Sequence, residues 1–130
     1  MPAAPTRPPS KTHATSSPRV GLGRRRRVRV ADDSMRPTLE PGDRLLVDTG
    51  AYRDRSPSPG DVVVLVDPDL PSRWLVKRVR SVDAATGAVD VRGDATDVAR
   101  DSRRFGPVPS GSLVGRVYRL YFPARRRRDF

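Results

Sequence analysis

Apolar and polar positions alternate with a period of two from Val28 through Ala31, and the apolar members are β-branched, the pattern of a half-buried strand. Leu45, Leu46 and Val47 form a second short run, the five aliphatic residues Val62–Val66 a third, and Trp74–Val82 a longer alternating one. Ala85, Thr86 and Gly87 read as the tip of a hairpin that returns through Val89, Asp90 and Val91, and a last strand is predicted over Leu113–Phe122. Pro-Gly-Asp sequences at 41–43 and 59–61 precede two of these runs, with proline preset for the first corner and glycine free to take φ > 0. Apolar residues nowhere recur at i, i+3, i+4 and i+7 over three turns. The sole helical candidate is one turn around Met35–Leu39, confined by Pro37 to its first positions. The predicted fold is therefore mainly β, a small coiled sheet or partial barrel with disordered basic termini. Its expected boundaries are a disordered basic Pro-rich tail over residues 1–27, a folded domain over 28–123 and a basic tail over 124–130.

Composition narrows the chemistry. The 130 residues include no cysteine and a single histidine, His13, in the Pro/Ser/Thr-rich tail. Disulfides, thiolate nucleophiles, cysteine zinc sites and a Ser-His-Asp triad are thereby excluded or made very improbable, and no metal or other cofactor is expected. The longest aliphatic run is Val62–Val66, far short of the roughly 20 apolar residues that span a bilayer. Residues 24–27 are four arginines, but no apolar stretch follows them as in a secretory signal. These features predict a cytoplasmic protein without a transmembrane segment. The net charge of +11 belongs to the ends: residues 1–29 carry eight basic side chains and no acid, whereas residues 30–118 are nearly neutral. Such tails suit solvation, or contact with nucleic acid or an anionic membrane.

One lysine stands out. Of 26 basic residues 24 are arginine, and only Lys77 lies in the patterned region as lysine. Arginine serves any surface or ion-pair role but cannot lose its proton at workable pH, so an isolated lysine points to a task that needs a neutral amine. Alternation along Trp74–Val82 puts Lys77 on one face with Leu75 and Val79, where desolvation lowers an amine pKa; the alternative is a lysine whose stem packs while its head reaches water. Ser34, between a strand and a tight turn, is a candidate nucleophile, with turn amides available to an oxyanion; the alternative is a serine that only caps the turn.

The residues Ser34-Met35-Arg36-Pro37-Thr38-Leu39 resemble the S-M-x-P-T-L box of the type I signal peptidases, the S26 serine-protease family. Gly60-Asp61-Val62-Val63 resembles that family's next strand, Lys77-Arg78-Val79 its lysine box, and Gly93-Asp94 followed by residues 101–108 its last box. Four boxes in order are a far stronger signal than one. The resemblance implies a Ser34/Lys77 dyad, with Met35, Arg78, Asp101, Ser102 and Arg103 in support and Arg78 as partner of Asp101. It also implies a protein precursor bound as an extended strand and cut to release an N-terminal leader. Among family members the chain looks most like the soluble proteases that mature nickel-type superoxide dismutase, whose terminal strand ends in a pattern similar to Phe122-Pro123-Ala124-Arg125. Three positions depart from the family: Asp32 stands where Ser or Gly is common, Ala95 where the box has asparagine, and Ala99 where a serine often orients the lysine. Two other readings of the residues are a self-cleaving repressor-type Ser/Lys autoprotease and a non-catalytic nucleic-acid binder using its arginine tails.

Overall fold

The computed structural model describes residues 24–97 and 100–130. The expected tail over residues 1–23 and the departure at Ala99 lie outside the described residues. Seven antiparallel strands, β1 (Arg25–Arg29), β2 (Arg44–Asp48), β3 (Val62–Val66), β4 (Trp74–Val82), β5 (Val89–Arg92), β6 (Leu113–Phe122) and β7 (Arg128–Asp129), form one sheet in the order β1-β2-β6-β3-β4-β5, with β7 also on β6. The sheet coils without closing into a barrel, so the mainly β fold read from alternation is what the chain adopts. Among the described residues no helix is long and apolar enough to cross a membrane.

Long β6 organises the sheet because its halves serve different neighbours. Residues 116–122 pair with β2 and residues 113–116 pair with β3, with register shifts in both ladders. Gly115 sits where β6 passes the end of β2; a Cβ there would stand 2.9 Å from Thr49 Cα and collide with the Asp48 carbonyl oxygen. Coiling divides the core in two. One cluster gathers Val30, Met35, Leu39, Leu45, Val47, Val62, Val64, Val117 and Leu120, the other Val63, Leu65, Leu75, Val79, Val89, Val91 and Val108. Consecutive residues of β3 thus feed opposite clusters, which explains its unbroken aliphatic run. Both Pro-Gly-Asp turns place glycine at positive φ, Gly42 at 93° and Gly60 at 95°, as the sequence suggested.

Three local expectations need correction. The arginine run assigned to the tail is part of β1, which pairs with β2 from Arg25↔Asp48 to Arg29↔Arg44. Strand pairing uses main-chain groups, so the exposed side chains of Arg25, Arg26 and Arg27 remain in solvent while their backbone extends the sheet. The turn over Met35–Leu39 holds one Leu39 N–H to Met35 carbonyl bond of 2.9 Å and does not become a helix. A one-turn α1 (Ser102–Phe105) forms instead, with Asp101 as its N-cap and Gly106, at φ 82°, ending it.

The C-terminal segment, expected to be a disordered tail, folds back on the sheet through a 3-10 turn at Ala124–Arg126 and β7. Its charges find acids that spacing could not identify. Arg119 pairs with Asp129 at 2.6 Å, and the Arg126 guanidinium holds Asp43 through two 2.9 Å hydrogen bonds. The Phe130 amide donates to the Tyr118 carbonyl at 3.0 Å, and the Phe130 ring packs against the first core cluster. Asp43 is 2% exposed, so losing Arg126 would leave a buried carboxylate with only the Glu40 amide, 2.8 Å away, as hydrogen-bond partner among the described residues. Arg126→Ala is expected to lower stability by about 1–3 kcal/mol, read as a lower urea midpoint at unchanged slope. An unmoved midpoint would remove this clamp from the account.

Candidate active site

The turn after β1 is held from three sides. Val30 bonds across to the second turn, its amide to the Asp43 carbonyl at 2.9 Å and its carbonyl from the Gly42 amide at 2.8 Å. Met35 and Leu39 then anchor the turn in the first core cluster at 1% and 0% exposure. The third hold comes from the segment after β5: the Ala95 amide donates to the Ser34 carbonyl at 2.9 Å, and the Thr38 hydroxyl donates to Asp94 Oδ2 at 2.6 Å. Ser34, which follows Asp32 and Asp33 and precedes the anchors, is left at the wall of a cavity of about 240 Å³ and is itself only 6% exposed.

Lys77 lines the same cavity from β4. Its strand alternates as the sequence indicated: Leu75, Lys77 and Val79 are buried together, and Lys77 lies opposite Val63 in the β3–β4 register. The side chain is 1% exposed, and among the described residues no hydrogen bond or ion pair reaches its amine. Burial pushes the amine below its ordinary pKa, while the nearby Asp32 and Asp101 carboxylates act in the opposite direction and are outweighed. Ser34 and Lys77 line one cavity without a hydrogen bond between them among the described residues, and a serine hydroxyl and a lysine of lowered pKa are the residue types of a nucleophile and a general base.

The supporting residues are structural in their contacts. Met35 is a core anchor that also lines a larger groove of about 420 Å³ leading away from the cavity. Arg78 does not partner Asp101. It grips Asp94 through two 2.9 Å bonds and reaches the Gly60 carbonyl at 2.9 Å, because it lies on the face of β4 opposite Lys77. Asp101 instead accepts from the Gly93 amide at 2.8 Å and from the Arg103 guanidinium at 2.9 and 2.6 Å. Burial alone would raise the Asp101 pKa, but these donors lower it to about 2. Ser102 Oγ accepts from the Val91 amide at 2.9 Å and ties α1 to β5.

Sequence reasoning missed Arg100 and Asp67. Asp67, 1% exposed, ends β3 and is ion-paired with Arg100, whose side chain also lines the small cavity. Both belong to Asp/Arg-rich stretches where many pairings are equally compatible with spacing, so only the fold selects this one.

Asp32 has a specific place. Its Oδ1 accepts the Ser34 amide at 3.0 Å, so the main-chain donor expected to serve an oxyanion is already engaged. Burial would raise the Asp32 pKa, yet hydrogen bonds from Ser34 and the charges of Lys77 and Arg73 hold it below the usual carboxylate range. The carboxylate is therefore ionised at neutral pH.

A coiled antiparallel sheet carrying a turn serine and a buried lysine on one cavity is the arrangement that the four motif boxes implied. The family described as signal peptidase, peptidase S26, matches residues 25–83, and the chain belongs to it. It is 38% identical over 111 residues to the mitochondrial ATP-independent inner membrane protease subunit 1b of Arabidopsis thaliana, covering 69% of this chain and 66% of that one. Subunit 1a from the same plant is 31% identical, covering 72% and 68%. A probable signal peptidase I-1 of Synechocystis is 27% identical, covering 75% and 71%. The match thus spans about two thirds of each of these relatives. The cytoplasmic placement expected from the sequence is overturned by the plant relatives, which are named for the mitochondrial inner membrane.

Proposed function

We propose that the chain is a serine endopeptidase that removes an N-terminal leader from a protein precursor at a membrane surface, with Ser34 as nucleophile and Lys77 as base. The observation that carries this reading is the buried amine of Lys77, without a hydrogen bond or ion pair among the described residues, lining one cavity with Ser34. The neutral amine takes the hydroxyl proton as Ser34 Oγ attacks the carbonyl carbon, and the ammonium then protonates the departing amine. Water, deprotonated by the same lysine, hydrolyses the acyl-enzyme. The Ser34 amide is the nearest donor for the oxyanion, once Asp32 is displaced from it.

The larger groove supplies a place for the leader. It runs between residues 27–32 and 72–76. Among the described residues β1 pairs only with β2, and β5 pairs with β4 only from Arg78 onward, so each wall offers a main-chain edge to an extended peptide. Membership in the signal-peptidase family favours a separate precursor over self-cleavage. A nickel superoxide dismutase precursor is one substrate to try, on the strength of the C-terminal strand ending in Phe122-Pro123-Ala124-Arg125. The test is intact-mass and N-terminal analysis of precursors after incubation with the wild-type chain and with Ser34→Ala. A new N-terminus produced by the wild type alone is expected; equal cleavage by Ser34→Ala would sink the assignment.

A further inference from the structure

We infer that the groove selects leaders with acidic side chains about four to six residues before the cleaved bond; this rests on the proteolytic reading above. The groove carries its unpaired positive charge away from the small cavity. At its far end Arg27 and Arg29 project on the side of β1 opposite Val28 and Val30, both are exposed, and neither has an acidic partner among the described residues. Arg73, on the facing wall, is 55% exposed, shares Asp67 at 3.5 Å with Arg100 and also acts on Asp32. The two walls meet where the Arg26 guanidinium lies 5.2 Å from the Trp74 ring. At the catalytic end both signs are present: the Asp32 carboxylate shares its cavity with Arg73 and Arg100, and Asp33 is paired with Arg36 at 2.7 Å.

The arginine field at the far end acts on peptide residues remote from the bond. Strands rise about 3.3 Å per residue, so Arg27 and Asp32 are separated by roughly 16 Å. That is about twice the Debye length of roughly 8 Å at physiological salt. A leader laid along the edge has the same rise, so the residue beside the bond meets Asp32 while those three to five positions earlier meet Arg29 and Arg27. Strand alternation further restricts the arginine contact to every second side chain, the intervening ones turning toward Val28, Val30 and Val76. Unpaired guanidiniums beside a free main-chain edge suit the carboxylates of an extended peptide.

Binding separates this inference from the chemistry. Fluorescent peptides of about twelve residues of Ala, Gly and Thr around a central Ala-Ala bond would carry Glu, Gln or Lys at single positions from one to about six before the bond. Their affinity for full-length Ser34→Ala is read by anisotropy at 50 and 300 mM salt. Glu at the far alternate positions is expected to bind about three- to tenfold more tightly than Gln, Lys more weakly, with the difference shrinking at high salt. Glu adjacent to the bond is expected to bind no more tightly than Gln. The Arg27→Glu/Arg29→Glu double variant should reverse the far preference toward Lys. Glu no better than Gln at every far position would overturn the inference. Glu-selective binding by Ser34→Ala, with no peptide cut by the wild type, would support the groove's charge preference and count against the protease reading instead.

Discussion

Lys77→Met is expected to abolish cleavage, a loss of at least about a thousandfold in kcat/KM, while raising the thermal midpoint at neutral pH. Methionine keeps nearly the volume and flexibility of the lysine stem, so the packing against Leu75, Val63 and Val79 survives, but the proton acceptor is gone. The stability gain follows from linkage. Lys77 has a folded pKa below the ordinary value, so over the range between the two pKa values the unfolded chain binds the extra proton and wild-type stability rises with pH. Methionine removes that penalty. The advantage of the variant should therefore be largest at low and neutral pH and shrink as pH approaches the ordinary lysine value near 10.4. Lys77→Arg should be equally inactive, since a guanidinium stays charged, but its larger head in a 1% exposed position makes it the less stable of the two. In the wild type, kcat/KM should rise with pH through the lowered pKa of the amine and stay high above it. Cleavage by Lys77→Met at more than a few per cent of the wild-type rate would end the case for the lysine base.

Asp32→Ser is expected to raise kcat by about tenfold. The Ser34 amide now donates to the Asp32 carboxylate at 3.0 Å, so every turnover must break that bond and then develop an oxyanion beside a fixed negative charge. Losing one oxyanion donor commonly lowers kcat by about 10²–10³, which bounds what freeing a compromised donor can restore. Serine removes the charge and leaves a hydroxyl that can itself donate. Asn at position 32 should fall between, because it is neutral but its carbonyl still competes for the amide. A second readout excludes a merely structural effect: Asp32 is the foremost carboxylate raising the Lys77 pKa, so its removal should move the acid limb of the kcat/KM profile to lower pH. A fall in kcat on this substitution would instead make Asp32 a contributor to the reaction.

Much of this was legible before any coordinates. Period-two alternation located the main strands, because one buried face imposes the same repeat whatever the partner strand. Trp74–Val82 is β4 to the residue, and both Pro-Gly-Asp turns have the positive φ that glycine was expected to supply. β1 began earlier than alternation indicated, since its arginines pair through their backbone and contribute nothing apolar. One-turn α1 was missed: four residues are too few for helical periodicity, and only its Asp101 cap and Gly106 stop marked it.

Residue chemistry alone singled out Lys77, because a chain that otherwise places arginine wherever it needs charge keeps one amine within an apolar face. Order and content of the motif boxes likewise set the family. Only the tertiary structure decided that Arg78 takes Asp94 and leaves Asp101 to Arg103, that the last residues clamp Asp43, and that Asp32 occupies the Ser34 amide. The physical reason is range. Periodicity and turn chemistry act between neighbours along the chain and can be read there, whereas an arginine among many carboxylates is assigned by whichever acid the folded sheet brings within about 3 Å and removes from water.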